Sequence, residues 1–351
     1  SHNPPEWNGF KIKDESGASA APAVEKEVES RIPEIMGADR YRRLPLLEGI
    51  EDQLVREIDL YHAYSERIDQ LVDLERIRRA GFKVTVDSMY GAGAGYFQRL
   101  IGEGSTVIRE IHKERNPVFP GIKQPEPIAS NLMALVGDVK ESGADIGLAT
   151  DGDADRVGAI DETGLPLSSL QIFSLLALYL LEVQAQRGAI VRTITTTSML
   201  NRLAEQYDVP VFETRVGFKH VAPVMVTEDA LIGGEESSGF GFRGHVPERD
   251  GLLAGLFLLD LMAQTGKKPS ELIEYLYSKV GPHYFHREDI VFPPVERQKI
   301  GDRLIAGPDG SLSGNRIAEI ITIDGFHFRF TNESWLLVRF SGTEPLLRIY
   351  S

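Results

Sequence analysis

Short runs of β-branched and aromatic residues alternate with stretches of helical period through the middle of the chain. Phe82 to Val86 (FKVTV) reads as a buried strand closed by Asp87 and Ser88. A glycine-rich turn follows, then a helical pattern over Tyr96 to Ile101 and a second strand over Val107 to Ile111. Asn131 to Glu141 has helical period and ends at Gly143. Asp145 to Ala149 and Val157 to Ile160 read as two more strands, separated by a tight polar turn. Ile190 to Thr197 is strand-like, Ser198 to Tyr207 helical, and Pro210 to Glu213 and Ala230 to Ile232 are further short strands. This alternation predicts open α/β layers.

The ends differ. Ser16 to Ala23 is small and turn-rich, with a charged helix-like run from Val24 to Arg31 behind it. Leu54 to Arg79 contains two charged helical patterns. After Pro282 strands dominate, over Arg287 to Phe292, Ile317 to Ile323, Phe326 to Phe330, Trp335 to Phe340 and Leu346 to Tyr350, with one helix over Val295 to Ile305. The expected fold is therefore multi-domain α/β, mixed sheets flanked by helices, with a C-terminal α+β domain. At roughly 100–200 residues per domain, 351 residues allow two to four domains.

Composition removes several function classes. The chain has no cysteine, so disulfide scaffolds, thiolate zinc sites and cysteine nucleophiles are excluded together, which fits a reducing, cytoplasmic setting. A net charge of −14 argues against a nucleic-acid binder held by phosphate contacts. The most apolar helix candidate, Leu170 to Leu181, contains Gln171 and Ser174 and falls short of the ~20 residues of a membrane span. It reads as a buried helix of a soluble enzyme, with no targeting segment at the amino end.

Four stretches carry chemistry. Asp151-Gly152-Asp153-Ala154-Asp155-Arg156 places three carboxylates at alternate positions in a turn between apolar strands, a set that can converge on one hard cation. An EF-hand is the rival, with carboxylates at positions 1, 3 and 5 and Glu162 at position 12. It fails because Arg156 stands where the loop needs glycine and because the flanks are strands.

Gly233-Gly234-Glu235-Glu236-Ser237 lets backbone approach a ligand and, if extended, puts Glu235 and Ser237 on one face, suited to sugar hydroxyls. Alone, a plain glycine-rich turn explains it as well. Arg339-Phe340-Ser341-Gly342-Thr343-Glu344-Pro345 combines a tight turn, hydroxyl donors and an arginine, which suits a phosphate and equally a simple β-turn. The opening Ser1-His2-Asn3-Pro4-Pro5-Glu6-Trp7-Asn8-Gly9-Phe10-Lys11-Ile12 reads as a rigid loop leading into a strand.

Together these stretches resemble the α-D-phosphohexomutase family, the phosphoglucomutases and phosphomannomutases. The family's serine loop S-H-N-P, metal loop D-G-D-x-D-R, sugar loop G-E-x-S and phosphate loop R-x-S-G/N-T-x-P all occur here in order, over Ser1 to Pro345.

The resemblance implies a phosphoserine at Ser1 and a Mg²⁺ held by Asp151, Asp153 and Asp155 that also touches Ser1. It implies Lys11 as general acid/base and Arg156 as an arginine beside the reaction centre; an unperturbed lysine, with a pKa of ~10.4, needs a neighbouring cation such as Arg156 to lower it. Glu235 and Ser237 would grip sugar hydroxyls, Arg339, Ser341, Gly342 and Thr343 the non-reacting phosphate, and Lys219, in Arg215-Val216-Gly217-Phe218-Lys219, would reach the substrate. His245 and Arg249 are weaker candidates, read first as structural.

The implied reaction interconverts hexose 1-phosphate and hexose 6-phosphate through a hexose 1,6-bisphosphate, glucose before mannose, with glucosamine phosphate third. A non-catalytic sugar-phosphate-binding fragment and a Mg²⁺-dependent phosphatase are the alternatives. The implied domains are 1–50, a remnant of the phosphoserine domain; 51–162, with the metal loop; 163–281, with the sugar loop; and 282–351, with the phosphate loop. Family members carry roughly a hundred residues before the serine, so the chain is expected to be the ordered or retained part of a longer polypeptide, a natural or engineered truncation being the alternative, with little activity alone.

Overall fold

The computed structural model describes every residue except Ser1, His2, Pro4, Trp7, Asn8, Asp39, Arg42, Asp309, Gly342, Thr343 and Glu344. The chain forms two compact units, Ser1–Pro166 with Gly241–Pro269, and Leu167–Phe240 with Ser270–Ser351. They cut across the four segments expected from the sequence, since residues 163–281 contribute to both.

The first unit is built on β1 (Lys83–Asp87), β2 (Val107–Ile111), β3 (Ile146–Thr150), β4 (Val157–Asp161) and β5 (Pro166–Leu167), in the order β2-β1-β3-β4-β5. β1 runs parallel to β2 and β3, and β4 is antiparallel to β3. β3 is central in this order, with a strand on either side and helices packed against it, which is why it is buried throughout. The chain leaves β1 for β2 on one side and comes back to β3 on the other. That reversal opens a crevice at the carboxyl ends of β1 and β3, where ligands bind in sheets of this kind.

Helices Met133–Ser142 and Gly251–Thr265 pack against this sheet. Gly143 ends the first of them with a left-handed φ of 63°. The second is apolar nearly all round, as a helix enclosed on every side must be. Its one acid, Asp260, is fully buried and is paired with Arg76 at 2.8 Å. The sequence pattern had not singled this helix out.

Near the amino end the helix spans Pro22–Gly37, longer than the charged run from Val24 to Arg31. The strand expected after Gly9 is reduced to one bridge, Lys13 to Ser19.

The second unit holds two sheets. One runs β7-β6-β8-β9, from β6 (Ile190–Thr193), β7 (Val211–Thr214), β8 (Ile232–Gly234) and β9 (Phe240–Phe242). The strand-like pattern reached Thr197, but β6 stops at Thr193. There the Thr196 N–H and hydroxyl both fold back onto the Thr193 carbonyl, at 3.1 and 2.7 Å, and break the extended backbone.

The other sheet is antiparallel, in the order β10-β15-β14-β13-β12-β11. It comprises β10 (Arg287–Val291), β11 (Ser311–Leu312), β12 (Asn315–Ile321), β13 (Phe326–Phe330), β14 (Trp335–Phe340) and β15 (Leu346–Tyr350). β13, β14 and β15 have the limits their alternating patterns predicted. Helix Ser169–Leu178 is closed by a capping box between Ser168 and Gln171 and is buried, as expected. No helix among the described residues is long and apolar enough to cross a membrane.

Candidate functional site

In the first unit the loop between β3 and β4 carries Asp151, Asp153 and Asp155 at the crevice beside β1. One oxygen from each lies within 4.8 Å of the others. Asp151 is the internal member. The backbone N–H groups of Asp155 and Arg156 donate to its Oδ1 at 3.0 and 3.1 Å and curl the loop around it. Burial, reinforced by the Asp155 charge, pushes the Asp151 carboxyl above its ordinary range. Burial works on Asp155 in the same sense, but Arg249, Arg156 and Lys11 outweigh it and hold that carboxyl low.

The loop is pinned from two sides. Gly91, after β1, lies where a Cβ would come within 2.7 Å of the Gly152 carbonyl, and the Ala92 N–H donates to that carbonyl at 3.0 Å. On the other side the Gly251 N–H donates to the Ala154 carbonyl at 3.0 Å. Ala154 itself takes a left-handed φ of 60°. A loop fixed from both neighbours keeps three like charges together only if something offsets them.

Cations supply part of that. Arg156 is buried, donates to Glu126 at 2.8 Å, and has Nε 3.9 Å from both Asp151 and Asp155. Arg249 donates to Asp155 Oδ2. Lys11 is exposed, with Nζ 3.2 Å from Asp153 and 4.0 Å from Asp155. Its ion-pair partners are carboxylates, where the sequence reading expected a cation beside it.

Asp155 Oδ1 is nonetheless buried without a hydrogen-bond partner. An all-oxygen set of three carboxylates with an unsatisfied buried oxygen fits a hard divalent cation. The strands on either side, with Arg156 at the sixth position, are incompatible with an EF-hand.

His245 and Arg249 separate in role. Arg249 meets the acidic loop directly, whereas His245 Nε2 pairs with Asp250 at 2.9 Å. Asp250 also accepts from the Tyr64 hydroxyl at 3.0 Å and caps helix Gly251–Thr265 through the Leu253 N–H at 2.9 Å.

In the second unit the sugar-loop candidates sit in a turn between β8 and β9. The Glu235 N–H donates to the Gly239 carbonyl at 3.1 Å and closes that turn. Glu235 is buried, Ser237 half-buried. Gly233 and Gly234 serve packing, not ligand approach: a Cβ would meet Met225 Sδ at 2.2 Å or the Phe240 and Phe173 rings at 2.7 and 2.8 Å. Lys219 is exposed in the first turn of helix Phe218–Thr227.

Arg339 is half-buried at the end of β14, and its Nε donates to Asp324 Oδ1 at 3.0 Å. Ser341 is buried, and its N–H is engaged by the Leu346 carbonyl at 2.8 Å. That donor is therefore committed to the hairpin, not to an anion. The candidates Ser1, Gly342 and Thr343 lie outside the described residues.

The structure thus gathers Lys11, Asp151, Asp153, Asp155 and Arg156 in the first unit. In the second, the Gly217 N–H donates to Glu235 at 2.9 Å, tying the 215–219 segment to the sugar loop. Sequence reasoning missed Glu126, Asp250 and Asp324, ordinary acids whose importance lies in what they hold. The one local signal was glycine: Gly91 and Gly251 stand where no Cβ fits.

Comparison with known proteins supplies the context. Three phosphoglucomutase/phosphomannomutase family models match: alpha/beta/alpha domain I over residues 1–38, domain II over 62–164 and domain III over 168–280. A phosphoglucomutase/phosphomannomutase from Thermococcus kodakarensis is 34% identical over 352 residues, covering 100% of this chain and 73% of its own length. A phosphoglucosamine mutase from Methanococcus maripaludis is 31% identical over 360 residues, covering 99% of this chain and 74% of its own. A solved structure of a phosphomannomutase-like protein from Thermus thermophilus superposes with a TM-score of 0.81 at 31% identity, over 100% of this chain and 72% of that one.

Proposed function

The chain belongs to the α-D-phosphohexomutase family, the phosphoglucomutases and phosphomannomutases, and on that premise we propose that it interconverts hexose 1-phosphate and hexose 6-phosphate through a phosphoserine at Ser1 and a hexose 1,6-bisphosphate. Glucose phosphates are the first choice of substrate and mannose phosphates the second. Phosphoglucosamine mutases among the relatives make glucosamine phosphate the third sugar to test. The observation that carries the reading is the convergence of Asp151, Asp153 and Asp155 within 4.8 Å, with one buried oxygen left unsatisfied.

We assign the three aspartates to Mg²⁺. When bound, the ion supplies Lewis-acid stabilisation of charge on the phosphoryl group. In the first half-reaction a sugar hydroxyl oxygen bonds to the phosphoserine phosphorus, the bond to the Ser1 oxygen breaks, and the hydroxyl proton passes to Lys11 as a neutral amine. The reverse half-reaction returns the other phosphate to Ser1. Arg156, held by Glu126 and both inner aspartates, is a fixed positive charge for the transferring group. Glu235 and Ser237 orient the sugar, Arg339, Ser341, Gly342 and Thr343 take the non-reacting phosphate, and Lys219 reaches the substrate. The divisions 1–50, 51–162, 163–281 and 282–351 and a cytoplasmic location belong to the same reading.

The test is turnover of glucose 1-phosphate, mannose 1-phosphate and glucosamine 1-phosphate, each with a trace of its bisphosphate, in Mg²⁺ and after chelation. Isomerisation that stops on chelation, with about 80 Da added to the Ser1 peptide as phosphorylation requires, supports the reading. Release of inorganic phosphate without isomerisation would make the protein a phosphatase. Binding without turnover would make it a sugar-phosphate-binding module.

A further inference from the structure

Of three stretches of the second unit that the sequence marked separately, two are joined by one acid that it did not mark, and the third is tied to one of them by Glu235. Asp324 lies in the turn between β12 and β13. Its Oδ1 accepts from Arg339 Nε at 3.0 Å and its Oδ2 from the Val216 N–H at 3.0 Å. The next N–H along, that of Gly217, donates to Glu235 at 2.9 Å. Consecutive backbone donors of the 215–217 segment are therefore held by two carboxylates, one beside the phosphate-loop arginine and one from the sugar loop.

The turn is itself fixed. Gly325 has a φ of +105° and lies where a Cβ would come within 2.6 Å of the Val338 carbonyl and 3.2 Å of Arg339. Asp324 is thus pressed against the end of β14 and has little freedom to follow Arg339 if the arginine turns.

We propose that Asp324 is a positioning residue for the sugar phosphate: it fixes the guanidinium plane of Arg339 and, through Val216, sets that plane in register with Glu235 and Lys219. With Nε committed to Asp324, the two Nη nitrogens are the donors left for a phosphate, and among the described residues neither has a hydrogen-bond partner. A carboxylate is required for the double tie. Both of its oxygens accept, whereas asparagine has one acceptor and would turn an NH₂ towards one of the two donors. The inference rests on the sugar-phosphate reading of this loop set.

The experiment uses the full chain and the variants Asp324→Ala, Asp324→Asn, Arg339→Lys and Asp324→Asn/Arg339→Lys. Glucose 1-phosphate binding is measured by calorimetry, and KM and kcat in the mutase assay. Each Asp324 variant is expected to weaken binding about tenfold and raise KM in step, with kcat changed much less, as loss of uniform binding predicts. In the Arg339→Lys background the Asp324→Asn effect should largely vanish, because the two groups act as a unit. Asparagine is nearly isosteric, so it decides the matter if the alanine variant fails to fold.

Affinity equal to that of the parent chain, or effects that simply add in the double variant, overturns the role of Asp324. A parent chain that neither binds nor converts any of the three hexose 1-phosphates overturns the functional reading itself, and this inference with it.

Discussion

Gly251 lies against the backbone of Arg156 so closely that a Cβ on it would come within 2.2 Å of the Arg156 carbonyl oxygen. The first residue of a helix is thereby a wall of the acidic loop, since its N–H also holds the Ala154 carbonyl. Gly251→Ala should force the loop or the helix to move. A cost of about 1–3 kcal/mol is expected for such overpacking, together with weaker Mg²⁺ dependence of turnover. Thermal unfolding and a metal titration check both; unchanged values in both would show that the contact relaxes freely.

The three aspartates should part company on substitution. Asp151 is buried and accepts two loop N–H groups, so Asp151→Ala should lower stability by roughly 2–4 kcal/mol as well as metal affinity. Asp153 is exposed, so Asp153→Ala should leave metal-free stability within about 0.5 kcal/mol while weakening Mg²⁺ at least tenfold. Equal melting temperatures for the two variants would refute the distinction.

Glu126 accepts a hydrogen bond from the buried Arg156 guanidinium at 2.8 Å. Glu126→Ala removes a charge-assisted hydrogen bond from an enclosed guanidinium that still faces Asp151 and Asp155, at an expected cost of about 1–3 kcal/mol. Glu126→Gln keeps the hydrogen bond and should cost less. Denaturant unfolding of both variants tests this, and alanine no worse than glutamine would sink it.

His327 gives a pH dependence with a definite sign. Burial, with Arg329 and Arg192 nearby, pushes its imidazole down to about 4 from an ordinary 6.5. Below pH 6.5 the unfolded chain takes up a proton that the fold refuses, so stability is lost as pH falls from 6.5 towards 4. The effect is on the order of 3 kcal/mol across that window. His327→Asn should flatten the slope of unfolding free energy against pH there, and an unchanged slope would show that other groups cause it.

Much of the fold was legible because its signals are local. A strand such as Val107 to Ile111, or the run of three near the carboxyl end, shows in period and residue type alone. The limits failed where a side chain competes with the ladder, as Thr196 does beyond β6. The glycines of the sugar loop were misjudged for a related reason. Their missing Cβ atoms leave room for Met225 and Phe173, neighbours that no local pattern names.

By itself the sequence determined the α/β alternation and the spacing of Asp151, Asp153 and Asp155, since both follow from backbone geometry over a few residues. It also placed the four loops that carry the family resemblance. Only the tertiary structure decided which groups hold those loops in place. Glu126 meets Arg156 across 30 positions, Arg249 meets Asp155 across 94, and Asp324 meets Val216 across 108. Such pairs depend on the path of the whole chain, because a carboxylate looks the same in sequence whether it faces water or a buried guanidinium, and only packing removes the water.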